Sequence, residues 1–89
     1  MPRYRIELSR GAEKALAALP ADVQRRIASK IDALAENPRP QGTKKLAGEG
    51  NLHRVRVGES RLVYEIRDRM LIVLVLTIGH RREVSRRRG

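Results

Sequence analysis

At 89 residues the chain makes one small domain. A chain of this size buries only about 60–65% of its unfolded surface, so its core must be tight and help from a partner is expected. It has no cysteine, which excludes disulfides and thiolate metal sites and fits a reducing compartment. Lys and Arg number 20 against 10 Asp and Glu, and the formal charge of +10 favours polyanionic partners.

Arginine greatly outnumbers lysine, which points to bidentate contacts with phosphate or carboxylate. Tyr4 and Tyr64 are the only aromatic residues, too few for extensive base stacking. No stretch is long enough to span a bilayer and the N-terminus lacks the apolar region of a signal peptide, so no membrane partner is expected.

In chain order, Arg3–Leu8 alternates Tyr4, Ile6 and Leu8 with charged residues and reads as a half-buried strand. Ser9 is a good N-cap for a helix whose Ala12, Ala15, Leu16 and Leu19 recur at helical spacing up to Pro20. A second helix covers Ala21–Glu36, with Val23, Ile27, Ile31 and Leu34 as its apolar stripe and Gln24, Arg25, Arg26, Lys30 and Asp32 outside. Pro38–Gly50 reads as a loop with Leu46 as an anchor onto the core. Lys45 is read there as a solvent-facing lysine, whereas Lys44 fits a solvated or a functional role equally.

Asn51–Arg82 organises the rest, as three antiparallel strands with two tight turns. The first is Leu52–Val57, and Gly58-Glu59 fits a two-residue type II′ hairpin loop leading into Arg61–Ile66. Met70–Ile78 is almost wholly apolar, as in a strand buried on both faces. The two-residue loop sets Arg56 opposite Arg61 on one face, with Arg54 beside them; a three-residue loop would dissolve that pair. His53 points with Val55 to the other face. The last strand returns His80 and Arg81 towards Arg61. Like charges gathered in this way suit an anion, and phosphate is the obvious one, although each arginine taken singly also fits a solvated strand edge. Arg81–Gly89 is a basic tail or short helix.

His53 and His80 are isolated from carboxylate clusters, so no metal is expected, and no motif calls for a cofactor. A set of cations with histidines suits phosphodiester transesterification, in which a ribose 2′-hydroxyl attacks its own phosphate. Arginine stabilises the added charge but moves protons poorly; His80 is the candidate proton carrier.

The order strand, two helices and a three-strand meander resembles the RelE/ParE superfamily of bacterial type II toxins. The residues that carry the likeness are Ala12–Leu19, the segment ENPRPQGTKKLAGEGNLHRVRVGESRLVYEI and IGHRREVSR, together nearly the whole chain. The resemblance implies an α+β fold, β-α-α-β-β-β with an optional last helix, its two helices on one face of a four-stranded, mostly antiparallel sheet. It implies a cytoplasmic toxin neutralised by an antitoxin, which cleaves mRNA in the ribosomal A site if RelE-like or poisons DNA gyrase if ParE-like. Residue by residue, it places Arg54, Arg56, Arg61 and Arg81 around the scissile phosphate; on the RNA-cleaving reading Lys44 and Arg82 are further candidate RNA contacts.

The family's C-terminal catalytic tyrosine is replaced here by Ser85, and the tyrosines preceding the basic strand residue and the hairpin arginine are replaced by His53 and Ser60. Three readings follow: an mRNA endoribonuclease, a gyrase inhibitor without nuclease chemistry, or an inactive antitoxin-binding homologue. All three expect an acidic antitoxin over the basic groove and over Ile72, Leu74 and Leu76.

Overall fold

The computed structural model describes residues 3–46 and 50–80. The elements run β1 (Arg5–Leu8), α1 (Arg10–Ala17), α2 (Ala21–Glu36), β2 (Lys44–Lys45), β3 (Leu52–Val57), β4 (Ser60–Arg67) and β5 (Ile72–His80). The five strands form one mixed sheet in the order β1-β5-β4-β3-β2. The fifth strand is β2, within the segment read as loop: two residues pair antiparallel with β3, Lys44 opposite Arg54 and Lys45 opposite His53. Two residues carry no hydrophobic period, which is why the alternation did not reveal them.

The chain leaves β1 at one edge of the sheet and re-enters at β2 on the other, so the helical hairpin must cross one face. That face carries the core. Ala12 from α1 and Ile27, Ile31 and Leu34 from α2 pack on Val55, Leu62, Tyr64, Ile66, Val73, Val75 and Ile78. Burying such side chains contributes roughly 1.5–3 kcal/mol each, and most of the fold's stability lies here.

Ser9 serves as the expected N-cap. Its Oγ accepts from the Ala12 amide at 3.1 Å and donates to the Leu76 carbonyl at 2.8 Å. Gln24 was expected outside; instead its Nε2 lies 2.9 Å from the Leu16 carbonyl and 3.2 Å from those of Ala17 and Leu19. The last carbonyls of α1 have no partner within their own helix, and Gln24 supplies one.

The β3–β4 hairpin has the expected two-residue loop, with Val57 opposite Ser60 and Arg56 opposite Arg61. Gly58 has φ 61°, a value that suits glycine at the first loop position of a type II′ turn. β5 begins two residues later than the apolar run predicts. Met70 and Leu71 lie in the turn and are 62% and 37% exposed, and Arg67 and Asp68 carbonyls accept from their amides.

A register shift between Val63 and Tyr64 leaves Leu76 as the extra residue of β5, since Val63 pairs with Thr77 and Tyr64 with Val75. The simple alternation of Ile72, Leu74 and Leu76 therefore breaks at the bulge. The exposed apolar stripe expected there is also smaller, because Ile72 is buried and Leu74 and Leu76 are half-buried.

Candidate functional site

The ladder partners define what faces away from the helices. Arg54 pairs with Val63 and Arg56 with Arg61; Val63 pairs with Thr77 and Arg61 with Gly79; Lys44 pairs with Arg54. Directly opposed residues share a face, so Lys44, Arg54, Arg56 and Arg61 stand together on the open side. The face holds two like-charge pairs in succession, Lys44 with Arg54 and Arg56 with Arg61. Val63, Thr77 and Gly79 provide the small floor beside them. A Cβ on Gly79 would lie 3.7 Å from Cγ of Arg61, so the arginine stem passes close over this glycine.

No described carboxylate forms an ion pair with this cluster. Among the described residues the ion pairs are Arg3–Glu36, Arg5–Glu7, Arg39–Asp68 and Arg67–Glu65. None includes Lys44, Arg54, Arg56 or Arg61. Among the described residues the open face thus divides into a half with the ion pairs Arg5–Glu7 and Arg67–Glu65 and a cationic half whose cations form none, with Glu59 of the hairpin loop at its border. A cavity of about 920 Å³ lies over the cationic half, lined in part by Arg56, Arg61, Val63, Thr77, Gly79 and His80. Such guanidinium groups can grip a phosphate through paired N–H donors and favour the extra negative charge of a five-coordinate phosphorus.

The two histidines lie apart. His53 is buried on the helix-facing side, its Nδ1 2.9 Å from the Asn51 carbonyl and its ring stacked on Tyr64 at 5.8 Å. His80 ends β5 opposite Ser60, and its Nδ1 lies 2.7 Å from Ser60 Oγ. By alternation it belongs to the helix-facing side with Ile78, yet at the end of the sheet it also borders the arginine cavity. Arg81, Arg82 and Ser85 lie outside the described residues, as does the whole basic tail or helix expected over Arg81–Gly89. No cluster of three or more potential metal ligands occurs among the described residues, and none of their helices is long and apolar enough to cross a membrane.

Contacts that the sequence did not reveal tie down the segment leading into β2. Tyr64 is fully buried, donates to the Pro38 carbonyl at 2.7 Å and lies 3.2 Å from Thr43 Oγ1. Burial, the largest cause, pushes its phenol above the ordinary value, against the lowering effects of the Thr43 hydrogen bond and the Arg39 charge. Arg39 grips Asp68 at 2.9 and 3.3 Å, and Tyr4 donates to the same carboxylate at 2.6 Å. The hydrogen bonds from Arg39, first, and Tyr4 hold the Asp68 carboxyl below the usual carboxylate range. The loop between α2 and β2 is thereby tied at both ends. The alternating context of Tyr64, Val63-Tyr64-Glu65, carried no such signal; a buried hydroxyl needing a partner was the one available clue.

The profile of the ParE toxin family of type II toxin–antitoxin systems, parDE, matches residues 6–85. The chain therefore belongs to the RelE/ParE superfamily of toxins. No curated protein matches it. Among solved structures it is similar to the toxin of the archaeal RelE–RelB complex from Pyrococcus horikoshii OT3, at 30% identity and TM-score 0.79, over 91% of this chain and 97% of that one. It is similar to the RelBE2 toxin–antitoxin complex from Mycobacterium tuberculosis, at 26% identity and TM-score 0.79, over 89% and 99% of the two chains. The intact Escherichia coli RelBE complex aligns at 25% identity and TM-score 0.77, over 86% and 95%.

Proposed function

We propose that this toxin is a ribosome-dependent mRNA endoribonuclease that blocks translation by phosphodiester cleavage through 2′-hydroxyl attack. The observation that carries the reading is the opposed pair Arg56 and Arg61, with Arg54 and Lys44 beside it and no carboxylate paired to any of them among the described residues. A folded protein that sets like charges opposite each other gives up stability, which an anionic ligand would return. Arg56 and Arg61 would hold the scissile phosphate and its transition state, and Arg54 and Lys44 a neighbouring one. Arg81 and Arg82 would complete the site from the end of β5. His80 is the candidate proton carrier.

The solved relatives include RelE–RelB complexes, which supports an antitoxin as the cognate partner, acidic by complementarity to the +10 charge. Induced expression followed by primer extension on a reporter mRNA tests the reading. New 5′ ends within translated codons, lost with Arg61→Ala, are expected; unchanged transcripts under growth arrest would overturn it.

Two observations favour a second reading, inhibition of DNA gyrase. The family profile matched is that of ParE toxins, and Ser85 stands where RelE-type toxins carry a catalytic tyrosine. Supercoiling by purified gyrase separates the two, since a ribonuclease leaves that reaction alone.

A further inference from the structure

The arginine cavity stabilises charge but contains few groups that can give up a proton. Guanidinium holds its protons far beyond neutral pH. Of the side chains lining the cavity, only Glu59 and His80 are carboxylate or imidazole. Glu59 is exposed in the hairpin loop, with no hydrogen-bond partner among the described residues to fix it.

His80 is different. It is 9% exposed and Ser60 is 3% exposed. They are ladder partners on adjacent strands, and the 2.7 Å contact joins Ser60 Oγ to Nδ1 alone. Nε2 makes no hydrogen bond among the described residues, and the residue keeps 9% of its surface exposed. His80 lines both the arginine cavity and a second one of about 290 Å³ between α2 and the hairpin. One nitrogen is held by Ser60, and the residue borders space shared with Arg56 and Arg61. The charged groups bordering these cavities are Asp22 and Arg26 from α2, Arg56 from β3, Glu59 from the loop and Arg61 from β4.

We propose that Ser60 is a positioning residue: it holds the His80 ring through Nδ1 so that Nε2 acts as the proton donor to the departing oxygen at the arginine cavity. This rests on the RNA-cleaving reading above and deepens it. In the step, the O2′–P bond forms and the P–O5′ bond breaks. The 2′-hydroxyl releases its proton to solvent water, and the 5′-oxygen takes one from Nε2 of imidazolium. The products are a 2′,3′-cyclic phosphate and a 5′-hydroxyl, and solvent reprotonates the ring. In imidazolium both nitrogens carry protons, so Ser60 Oγ accepts from Nδ1 throughout. The dyad offers a proton route that does not use residue 85.

Single-turnover cleavage of mRNA on programmed ribosomes, from mildly acidic to alkaline pH, tests this with wild type, His80→Gln, Ser60→Ala and Ser60→Thr. Wild type should lose rate as pH rises and the acid form is depleted. His80→Gln should abolish that limb and slow cleavage on the order of 10²-fold. Ser60→Ala should lower the cleavage rate about tenfold at unchanged affinity for the ribosome–mRNA complex, the scale of a loosened hydrogen bond, and Ser60→Thr should restore it.

Imidazole nitrogen NMR supplies a reading independent of activity: Nδ1 should be hydrogen-bonded in wild type and freed in Ser60→Ala, with thermal melting reporting that each variant folds. Ser60→Ala cleaving like wild type, or His80→Gln keeping the pH limb, would overturn the inference while leaving the nuclease reading intact. Wild type that cleaves nothing would overturn both.

Discussion

Lys44 and Arg54 are ladder partners on the outermost strand pair of the sheet, one strand over from the equally opposed Arg56 and Arg61. A four-cation row built on three strands is unfavourable in the free protein, because directly opposed like charges repel. Replacing either member of a pair should therefore stabilise the fold by a few tenths of a kcal/mol, about 0.5 at low salt. Arg56→Gln should raise the melting temperature at low ionic strength, and the gain should shrink in high salt as screening takes over. A destabilised Arg56→Gln would contradict the opposed geometry.

The same row sets the salt dependence of nucleic-acid binding. Each phosphate contact to a single strand contributes about 0.7 to the slope of log affinity against log salt. Removing Arg54, Arg56, Arg61 or Lys44 one at a time should each flatten that slope by roughly this amount. Arg3→Ala and Arg39→Ala, at residues already paired with Glu36 and Asp68, should change it much less. Fluorescence anisotropy with a short RNA across a salt series is the measurement.

Tyr64 links the core to the strand that carries Lys44. Tyr64→Phe keeps the ring stack on His53 but leaves the Pro38 carbonyl without its donor. That should cost about 1–2 kcal/mol in chemical denaturation. It should also loosen β2, so that Lys44→Ala costs less RNA affinity in the Tyr64→Phe background than in wild type. Additive losses would show that Tyr64 has no part in placing Lys44.

The Asp68 carboxylate gives a pH signature. Its folded value is depressed by hydrogen bonds from Arg39 and Tyr4. Stability from this group is therefore present above the ordinary carboxylate range and is lost as pH falls through the depressed value. Asp68→Asn should flatten the acid limb of the stability curve. At the alkaline end both tyrosines are raised, Tyr4 chiefly by its hydrogen bond to Asp68 and Tyr64 chiefly by burial. Phenolate absorbance in the native protein should consequently appear at higher pH than in the unfolded chain.

Much of this arrangement is readable from residue order alone. The alternation of Leu52–Val57, a glycine in the right loop position and the helical period of Ala21–Glu36 led to the observed α2, β3 and hairpin register. The misses have physical causes. β2 is two residues long and has no period. The apolar run from Met70 hides a turn because hydrophobic residues there are exposed, and the Leu76 bulge shifts register with no glycine to announce it. Gln24, Tyr64 and the Arg39–Asp68–Tyr4 contacts depend on partners up to 64 residues away in sequence. On the candidate site, Arg54, Arg56 and Arg61 share a face as hairpin geometry requires, and Lys44 joins them through pairing that sequence left open. The side of the sheet taken by His80 follows from its pairing with Ser60 across β4 and β5.

The most direct measurement is cleavage of ribosome-bound mRNA by purified wild type and by the Arg56→Ala/Arg61→Ala double variant, with 5′ ends mapped and folding checked by thermal melting. The account predicts cleavage by wild type and at least a 10²-fold loss, on the order of one oxyanion-type contact or more, in a double variant that still melts cooperatively. A double variant that cleaves like wild type would contradict it, as would a wild type that leaves mRNA intact and stops gyrase.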